Sequence, residues 1–196
     1  MKNGLGKSSP ISNLIHLEEI ASTQTFASQI ANDGAENRTL VWADRQTAGR
    51  GRLSRTWDSA LGGLYFSWIF RPSWAPERLA ELSLKTAGEI ARTIAQKTGL
   101  KTLVKPPNDV LALQTGRGTP TKKTARKICG ILAEAKGGAS NVDWLVVGIG
   151  LNVNNAPQAP RASSLKILTG RPWDERLILE SLLDSLGKLY SAEFGL

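Results

Sequence analysis

One cysteine, one histidine and one methionine occur in 196 residues. A lone Cys129 excludes an internal disulfide framework and fits a reducing compartment. His16 has no nearby set of Cys or Asp partners in the sequence. With one His and one Cys, a zinc site and a Ser-His or Cys-His triad both fall away. No run of about 18 apolar residues occurs, which excludes a membrane-spanning helix. The start, "MKNGLGKSSPISN", lacks the apolar core of a secretory signal, so the cytoplasm is the expected location. Acidic residues are also scarce: 17 against 25 basic ones, a net charge of +8. Such an excess suggests an anionic partner (a nucleic acid, a nucleotide or an acidic protein) without choosing among them.

Two glycine patterns look like nucleotide motifs and fail on spacing. "GLGKSS" (4–9) resembles the end of a P-loop, but Met1 stands where the first glycine is required and no strand can precede it. "GIGLNVN" (148–154) lacks the third glycine of a dinucleotide fingerprint, and no helical pattern follows. It reads better as a buried strand whose small residues let something pack close. What remains for chemistry is Arg, Lys, Asn, Asp and glycine backbone. That set stabilises phosphates and developing negative charge and supplies no covalent nucleophile.

Hydrophobic residues make up 41% of the chain, enough for a sizeable core. Residues 1–13 are polar and Gly/Ser-rich and are expected to be flexible. "LIHLEEI" (14–20), "RTLVWAD" (38–44) and "GLYFSWIF" (63–70) read as strands. Further strands are expected at 100–105 and 109–113 around the turn "PPN", and at 127–135 and 142–154. Ser22 is a plausible N-cap for a helix that Gly34 stops. Pro76 opens a longer helix with a stripe of Leu79, Leu82, Ala87, Ile90 and Ile94, and Gly99 closes it. A last helix is expected at 174–194. Three helices with strands joined by short turns imply one α+β domain. Its sheet should be mixed but largely antiparallel, with helices packed on one face.

The basic residues concentrate at 45–55 and 117–127, which suggests one site made from two loops. In "ADRQTAGRGRLSRTW" (43–57), Gly49 and Gly51 let backbone approach a ligand. Arg50, Arg52 and Arg55 supply forked cationic donors suited to phosphate or carboxylate. Crowded together without a ligand these cations repel, so the segment should be mobile when empty. Trp57 offers a flat face for a base or an apolar lid. A solvated basic loop with a core Trp explains the same residues. Farther on, "KPPNDVL" sets Lys105, Asn108 and Asp109 around a turn, "RKICGILAEA" puts Lys127 beside Gly130, and Asn152 ends a strand.

Taken in order, these segments resemble the catalytic domain of biotin protein ligases over about residues 14–154. "STQ" (22–24) stands where that family usually has Ser-Thr-Asn. "GRGRLSRTW" (49–57) resembles its Gly-Arg-Gly-Arg signature, "KPPNDV" (105–110) its Lys-Trp-Pro-Asn-Asp, and "RKICGILAE" with "GIGLNVN" its last two motifs. The resemblance implies a fold like the class II aminoacyl-tRNA synthetases and biotin ligases, with residues 14–196 as the catalytic domain. It implies formation of biotinyl-5'-AMP from biotin and ATP with Mg²⁺, followed by transfer of biotin to a lysine of a carboxylase's biotin carboxyl carrier domain.

By position, Ser22, Thr23, Gln24 and Gln46 would bind the biotin ring. Gly49, Arg50, Gly51 and Arg52 would close over biotin and phosphate, with Gly130 beside them. Lys127 and Arg52 would stabilise the charge at the reacting carboxylate and α-phosphate. Trp57, Asn108 and Asn152 would contact the nucleotide. Asp109 would serve the adenylate or its Mg²⁺ and help deprotonate the incoming lysine. Ser54 stands where the family usually has Gly, Leu53 where Arg is frequent, and Pro106 where Trp is common. No DNA-binding helix-turn-helix and no C-terminal β-barrel are expected, hence no DNA and no repressor function; a homodimer through the sheet edge is among the expectations. Open alternatives are a lipoate or octanoate ligase or transferase, a non-catalytic biotin-binding protein, and a nucleic-acid binder.

Overall fold

The computed structural model describes residues 10–113 and 124–196. Seven strands form one sheet: β1 (Asn13–Ile20), β2 (Thr39–Gln46), β3 (Gly63–Phe70), β4 (Thr102–Lys105), β5 (Asp109–Ala112), β6 (Arg126–Gly137) and β7 (Val142–Asn152). Their order across the sheet is β1-β2-β3-β7-β6-β5-β4. Only β1 and β2 run parallel; every other pair is antiparallel. The mixed, largely antiparallel α+β fold expected from the sequence is present.

Among the described residues four α-helices flank the sheet. Helix α1 (Thr23–Asn32) starts where Ser22 accepts a hydrogen bond from Thr25 N at 3.4 Å. Helix α2 (Leu79–Thr98) follows a 3₁₀ turn at Pro76–Arg78 and stops at Gly99, whose φ of 74° is the left-handed C-cap that glycine adopts cheaply. Helix α4 (Glu175–Phe194) is capped by Asp174, which accepts from Leu177 N at 3.1 Å. The extra helix α3 (Leu165–Thr169) has five residues, too few to carry a readable period, although Ser164 caps it and Gly170 ends it.

The interior strand β3 is buried along its whole length because both of its faces are covered. Leu64, Phe66, Trp68 and Phe70 point into the main core with Leu82, Ile90 and Ile94 of α2 and Leu182, Leu186 and Tyr190 of α4. Phe70 meets Tyr190 edge-on at 5.2 Å. Each such aromatic contributes roughly 1.5–3 kcal/mol by leaving water. Thus the two long helices occupy one face, as expected. Helix α1 departs from that expectation and covers the other face: its Ala27 and Ala31 pack with Val41, Ile69, Trp144 and Val146. Two small alanines on α1 let the helix lie close to strands whose second face is also apolar.

Residues 1–9, the larger part of the segment expected to be flexible, lie outside the described residues, as does most of the second basic cluster. The rest of that N-terminal segment is anchored. Ile11 is buried in the main core, Ser12 N donates to Arg38 O at 3.0 Å, and Asn13 begins β1. An apolar isoleucine inside a polar run is what holds it.

Candidate functional site

A cleft opens on the α1 face of the sheet, at the N-terminal end of that helix. Cross-strand register explains why it exists. Ser67 of β3, Gly148 of β7 and Leu132 of β6 form one row, and Tyr65, Gly150 and Gly130 form the next. Three glycines strip the sheet surface of side chains there. A Cβ on Gly148 would lie 2.3 Å from Gln24 Oε1. One on Gly150 would lie 2.4 Å from Trp57 Nε1, and one on Gly130 would lie 2.9 Å from Trp57 Cζ3. The "GIG" of β7 therefore seats a glutamine and a tryptophan, as the close-packing reading of that motif required.

The polar floor is tightly bonded. Gln46 Oε1 accepts from Thr23 N at 2.8 Å and from Thr23 Oγ1 at 3.1 Å, and its Nε2 donates to Ser59 Oγ at 2.8 Å. A backbone N–H can only donate, so the orientation of the Gln46 amide is fixed. Ser67 Oγ lies 3.0 Å from Thr23 Oγ1 and 3.1 Å from Gln24 Oε1. Gln24 Nε2 donates to Glu134 Oε2 at 2.9 Å.

The arginine segment folds over this floor. Gly49 is required by close approach, since a Cβ there would stand 2.5 Å from both Ser59 Oγ and Trp57 O. Trp57 N returns a hydrogen bond to Gly49 O at 2.8 Å and closes the loop on itself. The mutual repulsion expected among the cations is relieved because they diverge. Arg50 makes a two-pronged bond to Glu134, with Nη2 to Oε1 at 2.7 Å and Nη1 to Oε2 at 3.1 Å. Arg52 Nη1 donates to Asn108 Oδ1 at 3.2 Å. Asn108 is in turn held by donating to Ile131 O at 2.7 Å. At the tip, Leu53 and Ser54 adopt φ of 55° and 58°, a region that costs a non-glycine residue roughly 1–2 kcal/mol.

Lys127, the second residue of β6, borders the cleft. Its Nζ sits 2.6 Å from Asp109 Oδ1 and 5.1 Å from the centre of the Trp57 ring. It also borders a second, wider cavity of about 500 Å³ with Lys105, Asp109 and Arg161. Lys127 is thus the cation common to both cavities. Asp109 is the only carboxylate among the described residues that line the second one, and no group of three or more metal-binding side chains occurs among the described residues. Cys129, two residues along the same strand, is no nucleophile: burial pushes its thiol up to about 12 even though the Lys127 charge opposes the shift.

A protein-family model described as the biotin/lipoate A/B protein ligase family matches residues 17–152. The chain belongs to that family. It is 34% identical over 185 residues to the bifunctional ligase/repressor BirA of Bacillus subtilis, a match that covers 91% of this chain and 54% of that protein. It is 33% identical over 140 residues to the biotin–[acetyl-CoA-carboxylase] ligase of Paracoccus denitrificans, covering 70% and 53% of the two chains. The chain thus spans about half the length of these curated relatives. Among solved structures, the biotin protein ligase of Aquifex aeolicus in complex with biotin and ATP aligns with a TM-score of 0.72 at 32% identity, over 94% of this chain and 74% of that one.

Most residues singled out from the family resemblance converge. Ser22, Thr23, Gln24, Gln46, Arg50, Gly51, Arg52, Trp57, Asn108, Lys127 and Gly130 all border the first cleft. Gly49 shapes the loop from behind, and Asp109 faces the second cavity. Asn152 lines neither. It is buried, donates to Ser163 O at 3.1 Å and accepts from Asn155 Nδ2 at 3.0 Å. The segment it holds brackets Lys127: Lys127 N donates to Arg161 O at 2.8 Å, and Ser163 N to Lys127 O at 2.9 Å. The sequence reading passed over three residues. Ser67 had a signal, as the one small polar side chain in an apolar strand. Ser59 had none. Glu134, at the far end of "RKICGILAE", looked like an ordinary solvent-facing position.

Proposed function

We propose that this chain is the catalytic domain of an ATP-dependent biotin–[acetyl-CoA-carboxylase] ligase. The observation that carries the reading is Lys127 at the junction of two cavities, one with a neutral amide-and-hydroxyl floor and one edged by cations. A ureido ring is satisfied by amides and hydroxyls. A triphosphate is satisfied by Lys105, Lys127 and Arg161. The Aquifex relative's complex with biotin and ATP supports the same pairing of ligands.

In the first step a biotin carboxylate oxygen attacks the α-phosphorus of ATP. A new P–O bond forms and pyrophosphate leaves with the electrons of the broken bond. Negative charge moves from the carboxylate onto the oxygens of the α-phosphate and the leaving pyrophosphate; Lys127 and Arg52 hold the two anions together and stabilise that charge. The product is biotinyl-5'-AMP. In the second step a lysine amine of the carrier domain attacks the acyl carbon, AMP departs, and the amine proton is released, with Asp109 as its first acceptor. No enzyme nucleophile takes part, which agrees with the inert Cys129. Mg²⁺ would be held mainly by the phosphates, with Asp109, the carboxylate among the described residues of the second cavity, placed to join them. Trp57 and Asn108 would wall the nucleotide end, and Asn152 acts indirectly by holding the segment beside Lys127. The carrier domain of a biotin-dependent carboxylase is the proposed partner and the cytoplasm the proposed compartment. No helix of the described residues is long and apolar enough to cross a membrane.

The test is ATP–pyrophosphate exchange with biotin, lipoate or octanoate as the acid. Exchange that requires biotin supports the reading. Exchange driven by lipoate or octanoate alone moves the assignment to the other branch of the family, and none with any acid overturns catalysis.

A further inference from the structure

Glu134 touches both halves of the cleft, and none of the signatures assigned it a role. Register places it on the α1 face, opposite Val146 of β7 and one row beyond Leu132 and Gly148. From there its carboxylate reaches two ways. Oε2 accepts from Gln24 Nε2 at 2.9 Å, and both oxygens accept from Arg50 at 2.7 and 3.1 Å. Resting on the reading of the cleft as the biotin site, we infer that Glu134 is a positioning residue that sets the amide orientation of Gln24 and latches the arginine loop through Arg50.

An ionised carboxylate only accepts, so the Gln24 group facing it must be the NH₂ end. That turns Oε1 toward Ser67, 3.1 Å away. A neutral or apolar residue at position 134 would leave only the longer bond from Gln24 Nε2 to Val146 O, 3.4 Å, to hold the amide, and would loosen the donor and acceptor pattern offered to a ligand. Glutamine rather than the family's usual asparagine makes this reach possible, and Gly148 leaves room for the longer chain.

The latch argument is one of space. With the loop down, the cleft measures about 50 Å³, whereas small-molecule sites commonly need roughly 300 Å³ or more. The loop must therefore lift to admit a ligand and settle to retain it. Its side-chain hydrogen bonds to the rest of the molecule run through Arg50 to Glu134 on β6 and through Arg52 to Asn108 in the turn between β4 and β5. Of these, the first is two-pronged and charge-assisted and is the stronger.

Trypsin supplies a readout that needs no catalysis, because Arg50, Arg52 and Arg55 are cleavage points on the loop. The wild-type protein, Glu134→Gln, Arg50→Gln and the double variant would be digested briefly without ligand, and cleavage within 50–55 followed by mass spectrometry, alongside melting temperatures. Digestion at Arg52 and Arg55 compares all four proteins on equal terms. Glu134→Gln keeps the shape of the side chain and should melt like the wild type while being cut about tenfold faster there. The double variant should be cut no faster than either single one. Wild-type cutting rates in Glu134→Gln, or single effects that multiply in the double variant, would overturn the latch. In exchange assays, Glu134→Gln should raise KM for biotin at least fivefold with kcat within twofold; a fall in kcat at unchanged KM would overturn the positioning role. If biotin drives no exchange even in the wild type, the reading of the site fails, and ligand-free digestion still decides the latch.

Discussion

Replacing Gly150 by alanine would test whether the cleft is built by leaving side chains out. The added Cβ would stand 2.4 Å from Trp57 Nε1, 2.5 Å from Cε2 and 3.0 Å from Cζ2. Ordinary carbon contacts begin near 3.5 Å, so the ring would have to move by about 1 Å. The strand cannot yield in its place, because β7 is hydrogen-bonded on both sides, to β3 and to β6. Nor can the ring slide along the sheet, since Gly130 already lies beneath its other end. It must tilt off the surface into the space under Lys127, while its backbone stays tied through Trp57 N to Gly49 O at 2.8 Å. Overpacking of this kind costs about 1–3 kcal/mol. For a chain of this size that corresponds to a fall in Tm of roughly 2–12 °C. The tilted ring also takes up room a ligand needs, so biotin affinity should fall at least tenfold. Differential scanning fluorimetry with a biotin titration reads both effects. A Gly150→Ala protein that melts like the wild type and is stabilised by biotin to the same extent would refute the reasoning.

Three further outcomes are expected. Lys127→Met keeps the length of the side chain but removes the charge, and should lower biotin-dependent exchange about 30- to 1000-fold, the equivalent of roughly 2–4 kcal/mol of transition-state stabilisation; because Lys127 and Asp109 are partly exposed, stability should change by only about 1 kcal/mol, as chemical denaturation would register. Ser54→Gly relieves a left-handed φ of 58° and, after the extra chain entropy of glycine, should gain about 0.5–1 kcal/mol by urea titration, with no gain counting against strain at the tip. Stability should also fall in alkali: burial raises the Cys129 thiol from 9.0 to about 12 and moves Tyr65 and Tyr190 upward as well. The unfolded chain then sheds these protons first, so the stability they contribute is intact below pH 9 and is lost as pH climbs toward 12; a flat unfolding midpoint across that range would contradict the burial.

The sequence revealed whatever depends on local rules. Apolar runs marked the strands, Ser22 and Pro76 marked helix starts, and Gly99 marked a stop. The pairing of Lys127 with Asp109 was approachable because each lies in a recognisable signature. Properties that depend on register were hidden. Glu134 reaches Arg50 only because β6 and β7 align as they do, and one residue of slip would turn it to the other face. The placement of α1 opposite the long helices was also illegible, since helical periodicity marks an inner side without saying which face of the sheet it covers. Asn152 shows the converse: a polar residue in a functional-looking motif can be satisfied by structural partners, here the Ser163 carbonyl and the Asn155 side chain. The strain at Leu53 and Ser54 was half visible, as Ser54 occupies a position where glycine is usual, and the φ values show what glycine would have provided there.

The central claim is that the two cavities meeting at Lys127 join biotin to a nucleotide and pass it on. The most direct measurement is intact-mass analysis of a biotin carboxyl carrier domain incubated with the chain, ATP, Mg²⁺ and biotin. The carrier should gain one biotinyl group on a lysine, with no gain when ATP is omitted and a gain about 30- to 1000-fold slower when Lys127→Met replaces the wild type. A carrier left unmodified by the wild type while it is modified in the presence of lipoate, or one modified equally well by Lys127→Met, would contradict that claim.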